Sequence, residues 1–188
     1  MIQKLLSEIE GYNIEIACDA VCYIQCLDIS EHKEQVVKSL LNFIDRHHDT
    51  TNDEIQIAVG AAVRKVVLNS DKSNFNETVL RLLRYDDKDG VICLETCKCI
   101  INMGLELDNN ACYLLESKLD GYINNTDVNG QRYVAILNMT LVLMLNNYQE
   151  KWGTATKSIN DEYISSMRKV LPEWLNKLVD NRLKRLKK

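Results

Sequence analysis

The chain has 188 residues, room for one domain with a buried core and too little for two of ordinary size. Seven glycines and one proline are few for a fold built on many tight turns, and a formal charge of −4 at pH 7 is the reverse of the basic balance a general nucleic-acid binder carries. Met1 to Leu6 runs into Ser7 and Glu8 before an export signal could form, and the longest apolar run, Ala135 to Leu145, is broken by Asn138 and Thr140 and falls short of the roughly 20 residues needed to span a bilayer. The expectation is a cytoplasmic protein with no membrane span.

Along the chain, apolar residues recur at three- and four-residue spacing, the mark of amphipathic helices. Ile16, Val21 and Ile24 form one such run, Val36, Val37, Leu40, Leu41 and Ile44 a second, and Val79, Leu80, Leu82 and Leu83 a third. Polar breaks lie at Asp28–Ser30, Asp49–Asp53, Asn69–Asn74, Tyr85–Gly90, Gly104–Asn109, Asn124–Gly130 and Trp152–Ser158. They divide the chain into about eight or nine helices joined by short loops. From Ser158 on, Pro172 suits a helix's first turn, and Leu171, Trp174, Leu175, Leu178, Leu183 and Leu186 form an apolar stripe opposite Lys and Arg. This reads as a terminal capping helix.

Alternate helices open alike: Ile14-Glu15-Ile16-Ala17, Ile55-Gln56-Ile57-Ala58, Ile92-Cys93-Leu94-Glu95 and Arg132-Tyr133-Val134-Ala135, at intervals of 41, 37 and 40 residues. Two helices per period near 40 residues is the spacing of units that cannot bury their own apolar faces and must stack. The segment Asp87-Lys88-Asp89-Gly90 followed by Val91 to Gly104 resembles a HEAT repeat: an acidic turn, then a helix with small residues Cys97 and Cys99 on its packing face and Gly104 at its end. Gly60, Ala61 and Ala62 fill the small-residue places one unit earlier, while Gly90 stands where the family has a turn proline and Cys93 where it has an arginine. The resemblance covers roughly residues 12 to 150. It implies an all-α fold: a right-handed stack of about four antiparallel helix pairs, a HEAT-like α-solenoid, with units near 12–48, 53–84, 90–124 and 129–170 and a capping helix at 171–188. Architecture of this kind does not by itself imply an activity.

The residues offer no catalytic set. His32, His47 and His48 belong to one early helix and its end, where a cation complements the macrodipole. The Asp86-Asp87-Lys88-Asp89-Gly90 turn has the alternating carboxylates of a calcium loop, but its register puts Tyr85 at the first ligand position and Thr96 at the twelfth, so calcium is not expected. Phosphate-loop, dinucleotide, zinc-hydrolase and serine-hydrolase motifs are missing from the chain. Seven cysteines, Cys18, Cys22, Cys26, Cys93, Cys97, Cys99 and Cys112, lie within helical patterns and form no paired zinc knuckle. The reading is a non-enzyme with no catalytic residue, cofactor or metal, kept in a reducing compartment.

Charge is more informative. Residues 1–130 carry 12 Lys and Arg against 22 Asp and Glu, a net of −10, whereas residues 131–188 carry 11 against 5, a net of +6. The acidic majority repels phosphates and attracts basic proteins. If the second helix of each pair lines the concave face, as the resemblance implies, Glu34, Glu77, Tyr113, Glu116 and Asp120 join Tyr85, Asp86, Asp87 and Asp89 as candidate partner-binding residues, alongside Lys38 and Arg81. The Lys177 to Lys188 segment, with Lys177, Arg182, Lys184, Arg185, Lys187 and Lys188 against Asp180, could meet RNA or an acidic surface, and equally reads as a helix end whose cations complement the dipole.

In size, acidity and helical character the chain is similar to the helical immunity proteins of contact-dependent inhibition systems. That resemblance implies an inhibitor that covers a basic toxin domain such as a nuclease. The alternatives are an adaptor or regulatory subunit of a larger assembly and, resting on the basic carboxyl segment alone, a nucleic-acid-binding repeat protein.

Overall fold

The computed structural model describes residues 1–71, 73–87, 89–123 and 130–146. Among them the regular structure is entirely helical: α1 (Ile2–Glu10), α2 (Ile14–Gln25), a 3₁₀ turn (Ser30–His32), α3 (Lys33–His47), α4 (Asp53–Leu68), α5 (Phe75–Leu83), α6 (Val91–Met103), α7 (Asn109–Ile123) and α8 (Gly130–Leu145). The expected breaks between residues 28 and 109 match the gaps between helices to within one residue, Ser30, Asp53 and Asn109 being the first residues of the 3₁₀ turn, α4 and α7. The break at Asn124–Gly130 falls almost wholly outside the described residues. That at Trp152–Ser158, the end of the 129–170 unit and the capping helix at 171–188 lie outside them altogether. Helix α1 precedes the first expected unit.

Local chemistry sets where the helices begin. A helix leaves its first N–H groups without partners, and an Asn or Asp side chain just before it can accept from them. Asn13 Oδ1 accepts from Ile16 N at 3.3 Å, Asn52 Oδ1 from Glu54 N at 2.9 Å and Ile55 N at 3.2 Å, and Asp108 Oδ1 from Ala111 N at 2.8 Å. Helix α6 ends on Gly104, whose φ of 61° is the left-handed conformation that closes a Schellman cap. There Leu105 N donates to Ile100 O at 3.2 Å and Gly104 N to Ile101 O at 3.4 Å.

The four related starts fall in the opening turns of α2, α4, α6 and α8, and these helices pack in that order: α2 on α4, α4 on α6, α6 on α8. Against them lie α1 on α3 and α5 on α7, while α1–α2, α3–α4, α5–α6 and α7–α8 are also in contact. One apolar core runs through all of them, from Leu5 to Leu143. Phe43, Ile44, Leu82, Leu83, Ile92 and Leu115 are wholly enclosed in it. Each such side chain contributes about 1.5–3 kcal/mol relative to exposure, so packing rather than propensity holds these short helices.

Polar ties repeat along the chain. Cations from later helices reach carbonyls at the ends of earlier ones: Arg46 Nη2 to Ile9 O at 2.6 Å, Lys65 Nζ to Leu27 O at 2.6 Å, and Lys118 Nζ to Tyr85 O. A cation suits these sites because a helix C-terminus carries partial negative charge and unpaired carbonyls. Among the described residues, the side-chain hydrogen bonds between distant parts of the chain join residues 29 to 40 apart, from Ser39–Glu10 to Tyr85–Asp45.

Candidate functional site

The Tyr85–Gly90 turn, the most site-like stretch of the sequence, is largely turned to internal use. Gly90, at φ 80°, occupies the position before α6 and has no side chain to accept from the helix's first N–H groups. Asp87 supplies that acceptor. Its Oδ2 takes the buried Cys93 N–H at 2.8 Å, and its main-chain oxygen takes the Tyr122 hydroxyl at 2.6 Å. The carboxyl is 3% exposed. Burial pushes its pKa up, against the lowering pull of the Cys93 N–H and the Lys118 charge. Asp87 is therefore placed inside the fold, with its carboxylate and its main-chain oxygen both engaged within the chain.

Its neighbours are also engaged. Half-buried Asp89 accepts from Gln56 Nε2 at 2.6 Å, and that amide also donates to Thr50 O at 3.0 Å. Half-buried Tyr85 donates its hydroxyl to Asp45, places its ring 5.1 Å from that of His48, and is pushed up in pKa first by burial and then by Asp45. Arg81 pairs with the same Asp45 at 2.8 Å. The turn thus clasps α3, α4 and α7 together, leaving Asp86 as its exposed carboxylate among the described residues.

The remaining candidates lie on α3, α5 and α7: Glu34 on α3, Glu77 on α5, and Tyr113, Glu116 and Asp120 on α7. Glu34, Glu77 and Asp120 are exposed, Tyr113 is 62% exposed, and Glu116 is half-buried. Packing of α5 on α7 brings the helices of Glu77 and Tyr113 side by side. Glu34 sits at the opposite end of α3 from the Asp45 clasp. The nine candidates therefore do not converge on one site.

Sequence reasoning missed a different surface. Ile14, Cys18 and Cys22 of α2 and Ile55 and Ile57 of α4 line an open groove of about 400 Å³, with Glu15, Asp19 and Glu54 among its walls. The signal was in the repeated Ile-x-Ile starts. Residues two apart on a helix point about 200° from each other, so both cannot face one core. Ile14 and Ile55 are half-buried, while Ile16 and Ile57 are left 46% and 64% exposed.

A second cavity, of about 360 Å³, is lined by Glu10, Asn42, Asp45 and Arg46. Its charged groups are already partnered: Glu10 by Ser39 at 2.7 Å, Asp45 by Arg81, and Arg46 by Ile9 O. Among the described residues, no group of three or more His, Cys, Asp or Glu is placed to hold a metal, and no helix is long and apolar enough to cross a membrane. No protein-family model, curated protein or solved structure matches the chain.

Proposed function

We propose that this chain is a non-enzymatic, protein-binding stack of HEAT-like helix pairs whose partner is a basic protein, in the manner of an immunity protein that covers a basic toxin domain. Two features support the stack: the packing of alternate helices on one another, and side-chain bonds such as Arg64–Gln25, Arg64–Glu95 and Leu107–Asn146 that run from one expected unit to the next.

The observation that carries the choice of partner is how the charges are used. Among the described residues, six cations are turned to internal work, whereas Lys38 and Arg84 are exposed and Lys4 and Lys33 pair at the surface with Glu8 and Asp71. Arg64 and Lys98 hold the buried Glu95, each at 2.7 Å, and Arg81 holds Asp45, while Arg46, Lys65 and Lys118 cap helix ends. The carboxylates Glu15, Asp19, Glu34, Asp49, Asp53, Glu54, Glu77 and Asp86 are exposed, with no cation among the described residues within ion-pair distance. Exposed carboxylates without an ion-pair partner thus outnumber such cations among the described residues. Such a surface steers a basic partner and penalises an acidic one. Seven free thiols fit a reducing compartment for that encounter.

The test is capture with the tagged full-length chain at low and at roughly physiological salt, followed by mass spectrometry. The expected result is one stoichiometric basic protein whose toxic or nuclease activity disappears in the complex. A set of neutral or acidic subunits would replace the inhibitor reading with an adaptor in a larger assembly.

A further inference from the structure

Apolar side chains are left in water mainly on one pair of helices. Of the eight large apolar residues exposed among the described residues, Tyr12, Ile16, Tyr23, Ile57 and Leu68 lie on α2, just before it, or on α4, Leu68 at the far end of α4 from the groove. Ile16 and Tyr23 flank Asp19 at three and four residues, so they share its helix face and extend the apolar strip beyond the groove. Burial, the adjacent Cys22 and the carboxylates of Asp19 and Glu54 all push the Cys18 thiol up. Carboxylates from both helices thus surround one apolar floor. The nearby Arg64 is held by Glu95 and by the side chain of Gln25.

We propose that the α2–α4 groove is the docking site for a basic amphipathic helix of the protein partner. Its apolar residues, spaced three and four apart, lie over Ile14, Ile55 and Ile57, and its flanking Lys or Arg meet Glu15, Asp19 and Glu54. Three considerations select this occupant. Both walls are helices whose backbone groups are satisfied, so they offer a valley for a third helix and no edge for a strand. A second copy of the chain would bring the same three carboxylates against these, a repulsion that argues against self-association. An anionic surface would be repelled for the same reason.

The assignment rests on the basic-partner reading, and the test separates the two. The full-length protein is titrated with two synthetic helical peptides of equal length, carrying Leu at i, i+3, i+4 and i+7 and either Lys or Glu elsewhere. Binding is read by fluorescence anisotropy and by alkylation of Cys18 and Cys22. The Lys peptide is expected to bind and to slow alkylation of both thiols, and the Glu peptide to do neither.

Asp19→Lys with Glu54→Lys is expected to weaken binding by roughly tenfold or more, and Ile57→Ser to weaken it with the fold intact, because that side chain is already exposed. Glu34→Lys with Glu77→Lys, the same charge change on α3 and α5, should cost less than about threefold. No binding of the Lys peptide, no thiol protection, or equal losses in the two charge variants would overturn the site. Faster alkylation without peptide after Lys184→Gln, Arg185→Gln, Lys187→Gln and Lys188→Gln would make this chain's own basic segment the occupant and overturn the assignment to a partner. Unchanged binding of a captured basic protein to the Asp19→Lys, Glu54→Lys variant would remove the groove and leave the basic-partner reading. Capture of acidic subunits alone, with the Lys peptide still docking, would do the reverse.

Discussion

Helices α2 and α6 use the same residue types to opposite ends. Cys18 and Cys22 of α2 are half-buried, Cys26 at its end is exposed, and Glu15 and Asp19 face outward. Cys93, Cys97 and Cys99 of α6 are buried, and Glu95 is a buried strut held by Arg64 of α4 and by Lys98. The difference lies in the neighbours. Helix α6 packs against α4, α5 and α8, whereas α2 packs against α1 and α4. A helix enclosed on more sides must partner its polar groups internally, and one enclosed on fewer can spend them on a ligand.

The sharpest way to break this contrast is thiol chemistry, because alkylation needs a thiolate in contact with solvent. Burial pushes Cys93 up to about 12 from an ordinary 9.0, and Cys99 to about 11. Three units lower the thiolate fraction roughly a thousandfold before access is considered. Alkylation of the native protein with iodoacetamide, followed by peptide mass mapping, is expected to modify Cys26 first, then Cys18 and Cys22, with Cys93 and Cys97 reacting only after unfolding. Equal rates on α2 and α6 would show that α6 is not the enclosed helix described here.

A second test concerns the start of α6, where Asp87 stands in for the side chain that Gly90 lacks. Asp87→Ala removes the acceptor of a buried N–H and is expected to cost about 1–3 kcal/mol in urea denaturation. Asp87→Asn keeps an oxygen there and should cost less than about 1 kcal/mol. The sign of the pH dependence follows from the raised carboxyl. Just above its ordinary value of 3.8 the folded state holds the proton more often than the unfolded state does. This group's contribution to stability therefore falls as pH rises through that window. Asp87→Asn should flatten that slope in the window just above pH 3.8, and an unchanged slope would place its origin elsewhere.

Helix content was legible from the spacing of apolar residues, and the four related starts pointed to the helices that pack in order, α2, α4, α6 and α8. What was not legible was which side of a helix faces a neighbour. Asp86, Asp87 and Asp89 look equivalent as sequence, yet one is exposed, one buried beneath α6 and one half-buried against Gln56. The clue was Gly90: a glycine before a helix supplies no cap, so a nearby carboxylate must turn inward. The two Ile-x-Ile starts were the corresponding clue to the groove, which Ile14, Ile55 and Ile57 line. Helix α1 escaped the repeat reading because it stands before the first unit and shares none of its starts.

The smallest effect is the most exacting test of how α4 meets α6. Gly60 lies inside α4 among small residues and is buried, which suggests that the neighbouring helix leaves no room for a side chain. The geometry is less strict. A methyl group there would stand 3.4 Å from Glu95 Cγ, 3.5 Å from Val91 Cγ1 and 3.7 Å from Arg64 Nη1, at the near edge of ordinary contact. Glycine inside a helix is worse than alanine by roughly 0.5–1 kcal/mol, because more backbone freedom is lost on folding. Gly60→Ala is therefore expected to raise stability by about 0.5 kcal/mol in urea denaturation, with the Arg64–Glu95 pair intact. Gly60→Leu should instead lose about 1–3 kcal/mol, since its extra atoms would have to displace Val91 and Glu95 from the seam. A loss on Gly60→Ala as large as that on Gly60→Leu would mean that α4 and α6 approach more closely than these distances, and that small residues at this seam are an absolute requirement of the stack.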